Sequence, residues 1–143
     1  MEDSTRLTIV DDLSPNADDV ALVRGGLMAF NDSQAGPAQI QRLAVYLRDA
    51  QGRILGGLIG FLAWRWLSVE ELWVDERLRG QGHGAALLRR AEAIARNAGC
   101  VAAKLDTYEF QAKPFYEKCG YVVFGELIGY PAGTRTYYLQ KTL

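Results

Sequence analysis

At 143 residues the chain is the length of one ordinary domain, and with 49% hydrophobic and 23% charged residues it can build a core and is not a disordered polymer. A formal net charge of -1 argues against general binding to nucleic acid or to an anionic membrane surface, but leaves room for a local basic site that holds an anionic ligand. Two cysteines, Cys100 and Cys119, lie outside any CxxC arrangement, and with one histidine, His83, they are too few for the usual Cys/His zinc sites; free thiols in a reducing compartment are expected.

In chain order, the opening MEDSTRLTIVDDL is acidic and lacks a signal-peptide core, so a cytoplasmic protein is expected. RLTIVD (6–11) alternates as a first strand does. Pro15, Asn16 and Asp18 then supply turn and capping chemistry, and Val20, Val23, Leu27 and Phe30 recur at helical spacing, which predicts a helix over about 18–31 with a break at Gly25 and Gly26. QRLAVYLRD (41–49) reads as a strand, a hairpin turn follows at Gln51-Gly52, and strands over about 53–65 and 67–74 complete an antiparallel meander. ILGGLIGFLAWRWL, the most apolar stretch, carries Arg65 and is too short and glycine-broken to span a bilayer. From His83 the period changes: Leu87, Ala91, Ile94, Ala95 and Ala98 trace one helical stripe, which Gly99 ends. VAAKLDT (101–107) is a strand, about 111–118 a helix closed by Gly120, and YVVFGEL and TRTYYLQKTL two closing strands. The order is that of a mixed α/β sheet with helices on its faces.

The stretch RLRGQGHGAALL (77–88) places three glycines in five positions at the entrance of a helix. A phosphate loop of the form GxxxxGK[ST] is excluded, because no lysine follows. A dinucleotide fingerprint GxGxxA fits Gly80 to Ala85 literally, and Asp106 ends the next strand; yet that turn follows its strand directly, whereas Asp75 to Arg79 intervene here. The third reading takes a strand ending at Val74, an arginine-containing loop, and R-x-x-G-x-G (Arg79, Gly82, Gly84) opening an amphipathic helix. Bare N–H groups at that entrance, with the helix dipole behind them, suit a pyrophosphate, and glycine lets it come close.

This block resembles the acyl-CoA-binding core of the GNAT superfamily of N-acetyltransferases. A second motif of that family, A-x-x-x-Y-x-x-x-G-F/Y, is matched by Ala112, Tyr116, Gly120 and Tyr121, and the order of elements agrees across about 5–143. The resemblance implies one GNAT-like α/β domain over 1–143, with a mixed, mostly antiparallel sheet of about six to seven strands flanked by about four helices. It implies acetyl-CoA as acyl donor, no metal, and direct transfer to a primary amine in a ternary complex. The donor's pantetheine arm would pair with the backbone of Leu72, Trp73 and Val74, in a gap where that strand splays from the one ending near Asp106. Arg79, Gly80, Gln81, Gly82, His83 and Gly84 would hold the pyrophosphate.

By the same resemblance, Tyr116 would protonate the departing thiolate, and Glu70 or Glu71 would serve as base toward the acceptor ammonium. Alternation puts Glu70 with Leu72 and Val74, and Glu71 with Trp73; a bulge in this strand, common in the family, would reverse that assignment. Gly56, Gly57 and Gly60 suit a bulge or room beside the acceptor site, and ordinary strand irregularity explains them equally well. Many relatives carry Asn where this chain has Glu109, leaving Gln111 or the backbone to make that contact. The acceptor pocket is expected between about 25–36 and about 124–136, with Asn31, Trp64, Trp66, Tyr108 and Tyr130 as lining candidates. A small-molecule amine is favoured over a protein tail, because no extended charged groove is evident. A homodimer is expected only because such dimers are common in the family. Two alternatives stand beside this reading: a CoA-binding sensor or partner module without turnover, and a nicotinamide-dinucleotide-binding protein.

Overall fold

The structure, a computed structural model, describes residues 6–143. The chain divides into two compact units, Met1–Pro37 and Ala38–Leu143. In the first, one helix, α1, runs Ala17–Ala35. The Asn16 side chain accepts from the Asp19 N–H at 2.9 Å, and Gly36, at φ 78°, closes the other end with its N–H on the Asp32 carbonyl. The expected break at Gly25-Gly26 does not occur. About 1 kcal/mol per glycine is a small tax on a helix whose propagation is cooperative over 19 residues. Residues 6–12 form no strand, contrary to the expectation for 6–11. Alternation makes a strand only when a neighbouring strand completes its hydrogen bonds.

The second unit is built on a six-stranded sheet in the order β1-β2-β3-β4-β6-β5, from β1 (Gln41–Arg48), β2 (Ile54–Ala63), β3 (Trp66–Val74), β4 (Ala102–Tyr108), β5 (Val122–Ile128) and β6 (Arg135–Thr142). The meander is as expected, with the Asp49 carboxylate accepting from the Gln51 and Arg53 N–H groups and Gly52 at φ 80° in its first turn. The β3–β4 pair alone is parallel. The connection between them holds a short 3-10 turn, Glu76–Leu78, and helix α2 (His83–Asn97); α3 (Lys113–Lys118) links β4 to β5. The α/β class and strand number agree with expectation, whereas three α-helices stand among the described residues in place of about four.

Amphipathic α2 lays Leu87, Leu88, Ala91 and Ala95 on one sheet face, against Leu58, Leu62, Leu67, Val69, Leu105 and Leu139. At Gly99, φ 87°, the helix stops as the sequence indicates. Cys100 and Cys119 are free thiols. No helix among the described residues is long and apolar enough to cross a membrane.

Candidate active site

The parallel pair β3–β4 is joined only at Trp66/Ala102, Leu67/Ala103 and Ser68/Lys104. Beyond that the strands diverge, and a cleft of about 550 Å³ opens between Val69–Val74 on one side and Leu105, Asp106, Thr107 and Phe110 on the other. A second cleft, about 760 Å³, runs over the α2 entrance and is lined by Arg79, Gly80, Gly82, His83, Gly84, Phe115 and Lys141 among others. Leu72, Val74, Arg79, Ala112 and Tyr116 line both. Tyr116 therefore stands where the two clefts meet.

The α2 entrance is bare. Gly82 occupies the N-cap in the left-handed conformation, no side chain caps the helix, and no acidic residue lies in its first turn. The N–H groups and positive dipole end that a helix ordinarily satisfies with its own side chains are left for an external anion. Gly80 and Gly82 have φ 74° and 86°, and a Cβ at either would meet nothing within 4 Å. Their glycine requirement is conformational and also keeps the cradle open toward a ligand. The loop ahead is braced: the Arg77 Nε–H and Nη2–H donate to Asp75 at 2.9 Å each, which holds the Asp75 carboxyl down at about 2, and the Arg79 Nε–H donates to the Val74 carbonyl oxygen at 3.0 Å. These residues fit a diphosphate, and the splayed strand beside them fits an extended amide arm. Gly82→Ala forces alanine into a conformation that costs about 1–2 kcal/mol, so we expect the KM for acetyl-CoA to rise about tenfold with kcat little changed, as steady-state kinetics would show.

At Glu70 the β3 strand carries a bulge: Ile59 pairs with Glu71 but Gly60 pairs with Val69, so Glu70 is the extra residue. Leu67, Val69, Leu72 and Val74 consequently share the α2 face. Glu71 and Trp73 share the opposite face, and Glu70 does not join Leu72 and Val74 as strict alternation requires. Its carboxylate accepts from Arg42 at 3.2 Å, on that same opposite face. Gly60 makes the bulge feasible, because a Cβ there would collide with the Ser68 carbonyl oxygen. At Gly56 a Cβ would come within 2.9 Å of the Trp73 carbonyl oxygen. Two of the three β2 glycines thus mark close approach to the β3 backbone, while at Gly57 the nearest atoms belong to β1.

Tyr116 is 7% exposed and meets Phe115 and Tyr121 edge-on, with centroids at 5.1 and 6.0 Å. Burial, with smaller contributions from Cys119 and Asp106, pushes its phenol up to about 12; burial raises Tyr121 as well. Below pH 10 both phenols are neutral in the folded and the unfolded chain. Between about 10 and 12 the unfolded chain loses protons that the folded chain keeps, so stability falls as pH rises through that window. We expect Tm to drop above pH 10, and to drop less steeply in Tyr116→Phe, as thermal melts across pH 8–11.5 would record.

The other sequence candidates divide. Gln111 lines the 550 Å³ cleft, and its Oε1 accepts from the Tyr108 N–H at 2.9 Å and the Thr107 hydroxyl at 3.1 Å, whereas Glu109 turns to Thr134 and Arg135. Tyr108 stacks on the cleft residue Phe110 at 5.3 Å and meets Tyr130 edge-on at 6.1 Å. Trp64 and Trp66 are not brought to this cleft. The β2–β3 hairpin closes at residues 64 and 65, so both tryptophans lie at the closed end of β3, opposite Val74. Asn31 belongs to α1 in the first unit.

Sequence reasoning missed Glu92, a 2% exposed carboxylate on α2 that accepts from the Tyr121 hydroxyl and from Lys141. Its spacing from Leu88 and Ala95 put an acid on the buried side of the stripe, which was the available signal. Phe110, in the cleft wall, was missed too.

Residues 23–121 match the family model of the GNAT acetyltransferases. The chain is similar to a blasticidin-S acetyltransferase of Streptomyces morookaense, with 40% identity over 111 residues, 77% of this chain and 80% of that one. The crystal structure of an acetyltransferase-class protein from Agrobacterium tumefaciens superposes with a TM-score of 0.90 at 32% identity, covering 96% of this chain and all of the other. A streptothricin-acetyltransferase-class protein from Bacillus anthracis str. Ames, solved with acetyl coenzyme A, shares the fold at a TM-score of 0.64 and 23% identity over 71% of this chain and 62% of that one. With its bare glycine cradle and the splayed strand beside it, the chain belongs to the GNAT family of acetyltransferases, whose acyl donor is acetyl-CoA.

Proposed function

We propose that the protein acetylates a primary amine on a small molecule by direct transfer, with donor and acceptor bound together. The observation that carries this reading is the junction of the two clefts at Tyr116. The donor's diphosphate lies at Arg79 to Gly84, its arm along Leu72 to Val74, and its thioester reaches the junction. Backbone N–H groups of β3 that face the gap polarise the carbonyl. The acceptor enters from the cleft end bordered by Glu71, Trp73, Asp106 and Phe110.

Glu71 is the better placed base, because Glu70 is engaged by Arg42 while Glu71 lines the same cleft and forms no ion pair among the described residues. It takes the proton from the arriving ammonium, directly or through one water. The amine nitrogen attacks the thioester carbon, the C–S bond breaks, Tyr116 gives its proton to the sulfur, and the second proton of the attacking nitrogen returns the Tyr116 phenolate to phenol, while Glu71 releases its proton to water. Tyr108 and Tyr130 border the acceptor. Edge strand β5 exposes Val122, Phe124 and Ile128, which supports assembly as a homodimer, and the two free thiols support a cytoplasmic setting.

The test is thiol release from acetyl-CoA across primary amines, beginning with blasticidin S and streptothricin, the compounds in the relatives' names. Amine-dependent release supports the reading. Tight CoA binding without turnover against a broad panel would assign a binding module instead, and thermal stabilisation by NAD(H) but not by CoA would overturn the donor assignment.

A further inference from the structure

The Tyr116 hydroxyl makes no hydrogen bond with another described residue, so its direction depends on how the ring is held. That ring packs edge-on against Phe115, which also lies against Gly84 of the donor cradle. It also meets Tyr121 edge-on at 6.0 Å and 72°. Tyr121 is itself 2% exposed, and its hydroxyl donates to Glu92 at 2.8 Å. Lys141 donates to both Glu92 oxygens at 3.0 Å and sits 5.5 Å above the centre of the Tyr121 ring. Gly120, φ 94°, leaves room for the lysine stem, which passes 3.3 Å from where a Cβ would be. One carboxylate on α2 thereby ties together the residue that leads into β5 and the end of β6, and reaches Tyr116 through the Tyr121 ring.

We infer that Glu92, Tyr121 and Lys141 are positioning residues for Tyr116, a polar clamp that fixes the angle at which its hydroxyl meets the leaving sulfur. This rests on the Tyr116 reading above. A buried ion pair is a weak source of net stability, since well-packed apolar residues of like volume often do as well. A pair further bonded to a tyrosine hydroxyl does something an apolar cluster cannot: it allows one orientation of the Tyr121 ring and hence one seat for Tyr116. Proton delivery is steep in geometry, with misplacement near 1 Å costing about a hundredfold.

The experiment is a double-mutant cycle. Tyr121→Phe removes only the hydroxyl and keeps the ring; Glu92→Gln keeps the shape and removes the charge. Each is measured alone and in a Tyr116→Phe background, with kcat and the acetyl-CoA KM determined separately below each variant's melting temperature. We expect Tyr121→Phe to lower kcat about tenfold with KM within about twofold, and to lower it no further once Tyr116 is phenylalanine. Glu92→Gln should behave alike, and Glu92→Asp should recover part of the loss. An equal loss in both backgrounds would overturn the clamp and leave a purely structural network. A raised KM with unchanged kcat would overturn it in favour of donor binding. Full activity in Tyr116→Phe alone would instead remove the Tyr116 role itself, which separates that failure from failure of the clamp. If Glu92→Gln does not fold, Tyr121→Phe carries the test.

Discussion

If Tyr116 is the proposed general acid, we expect Tyr116→Phe to lower kcat about a hundredfold and to leave the KM for acetyl-CoA within about twofold, the lower end of what a positioned general acid contributes. The lower end is expected because acid catalysis is most effective when the acid's pKa lies near the working pH, and burial holds this phenol at about 12. The same burial keeps the hydroxyl protonated across the neutral range, so the proton is always present to be given. Phenylalanine preserves the packing against Phe115 and Tyr121, so the fold should survive and the loss should appear in chemistry rather than in binding. Single-turnover measurements at saturating donor would show it, and an unchanged rate would remove Tyr116 from the reaction.

We expect Gly60→Ala to destabilise the protein by about 1–3 kcal/mol and to lower activity as well, because the added methyl strikes backbone rather than a yielding side chain. The added methyl meets the Ser68 carbonyl beside the bulge, so relief requires β2 and β3 to part or the bulge to straighten. Straightening would return Glu70 to strict alternation and displace Glu71. Gly57→Ala is the comparison: its nearest backbone contact is 3.1 Å from Val45 on β1, away from the bulge, so any stability loss there should leave kcat at the amine-activation step largely intact. Denaturant melts combined with kinetics would distinguish the two; a Gly60→Ala protein as stable and active as the parent would refute the bulge argument.

The parts of the site that could be read from sequence are local. The glycine cradle, Arg79 to Gly84, and the Tyr116 motif, Ala112 to Tyr121, each lie within one short run of consecutive residues, and their backbone conformations follow from their residue types. The bulge left no comparable mark in β3, since nothing in WLSVEELWV signals an extra residue; the hint lay across the ladder at Gly60. Glu92 was hidden for a related reason, because its partners lie 29 and 49 residues away. Trp64 and Trp66 had suitable chemistry at the wrong end of a strand, a matter decided by topology. The expected strand at 6–11 failed because propensity supplies no partner.

The bulge has one more consequence. It sorts the last residues of β3 so that Leu72 and Val74 face the core while Glu71 and Trp73 remain exposed on the other side. Exposed positions away from special features tolerate replacement within about 0.5 kcal/mol. On the proposed reading, replacing the exposed Trp73 side chain should therefore change which acceptors are taken at little cost to folding, while Glu71, as base, stays fixed.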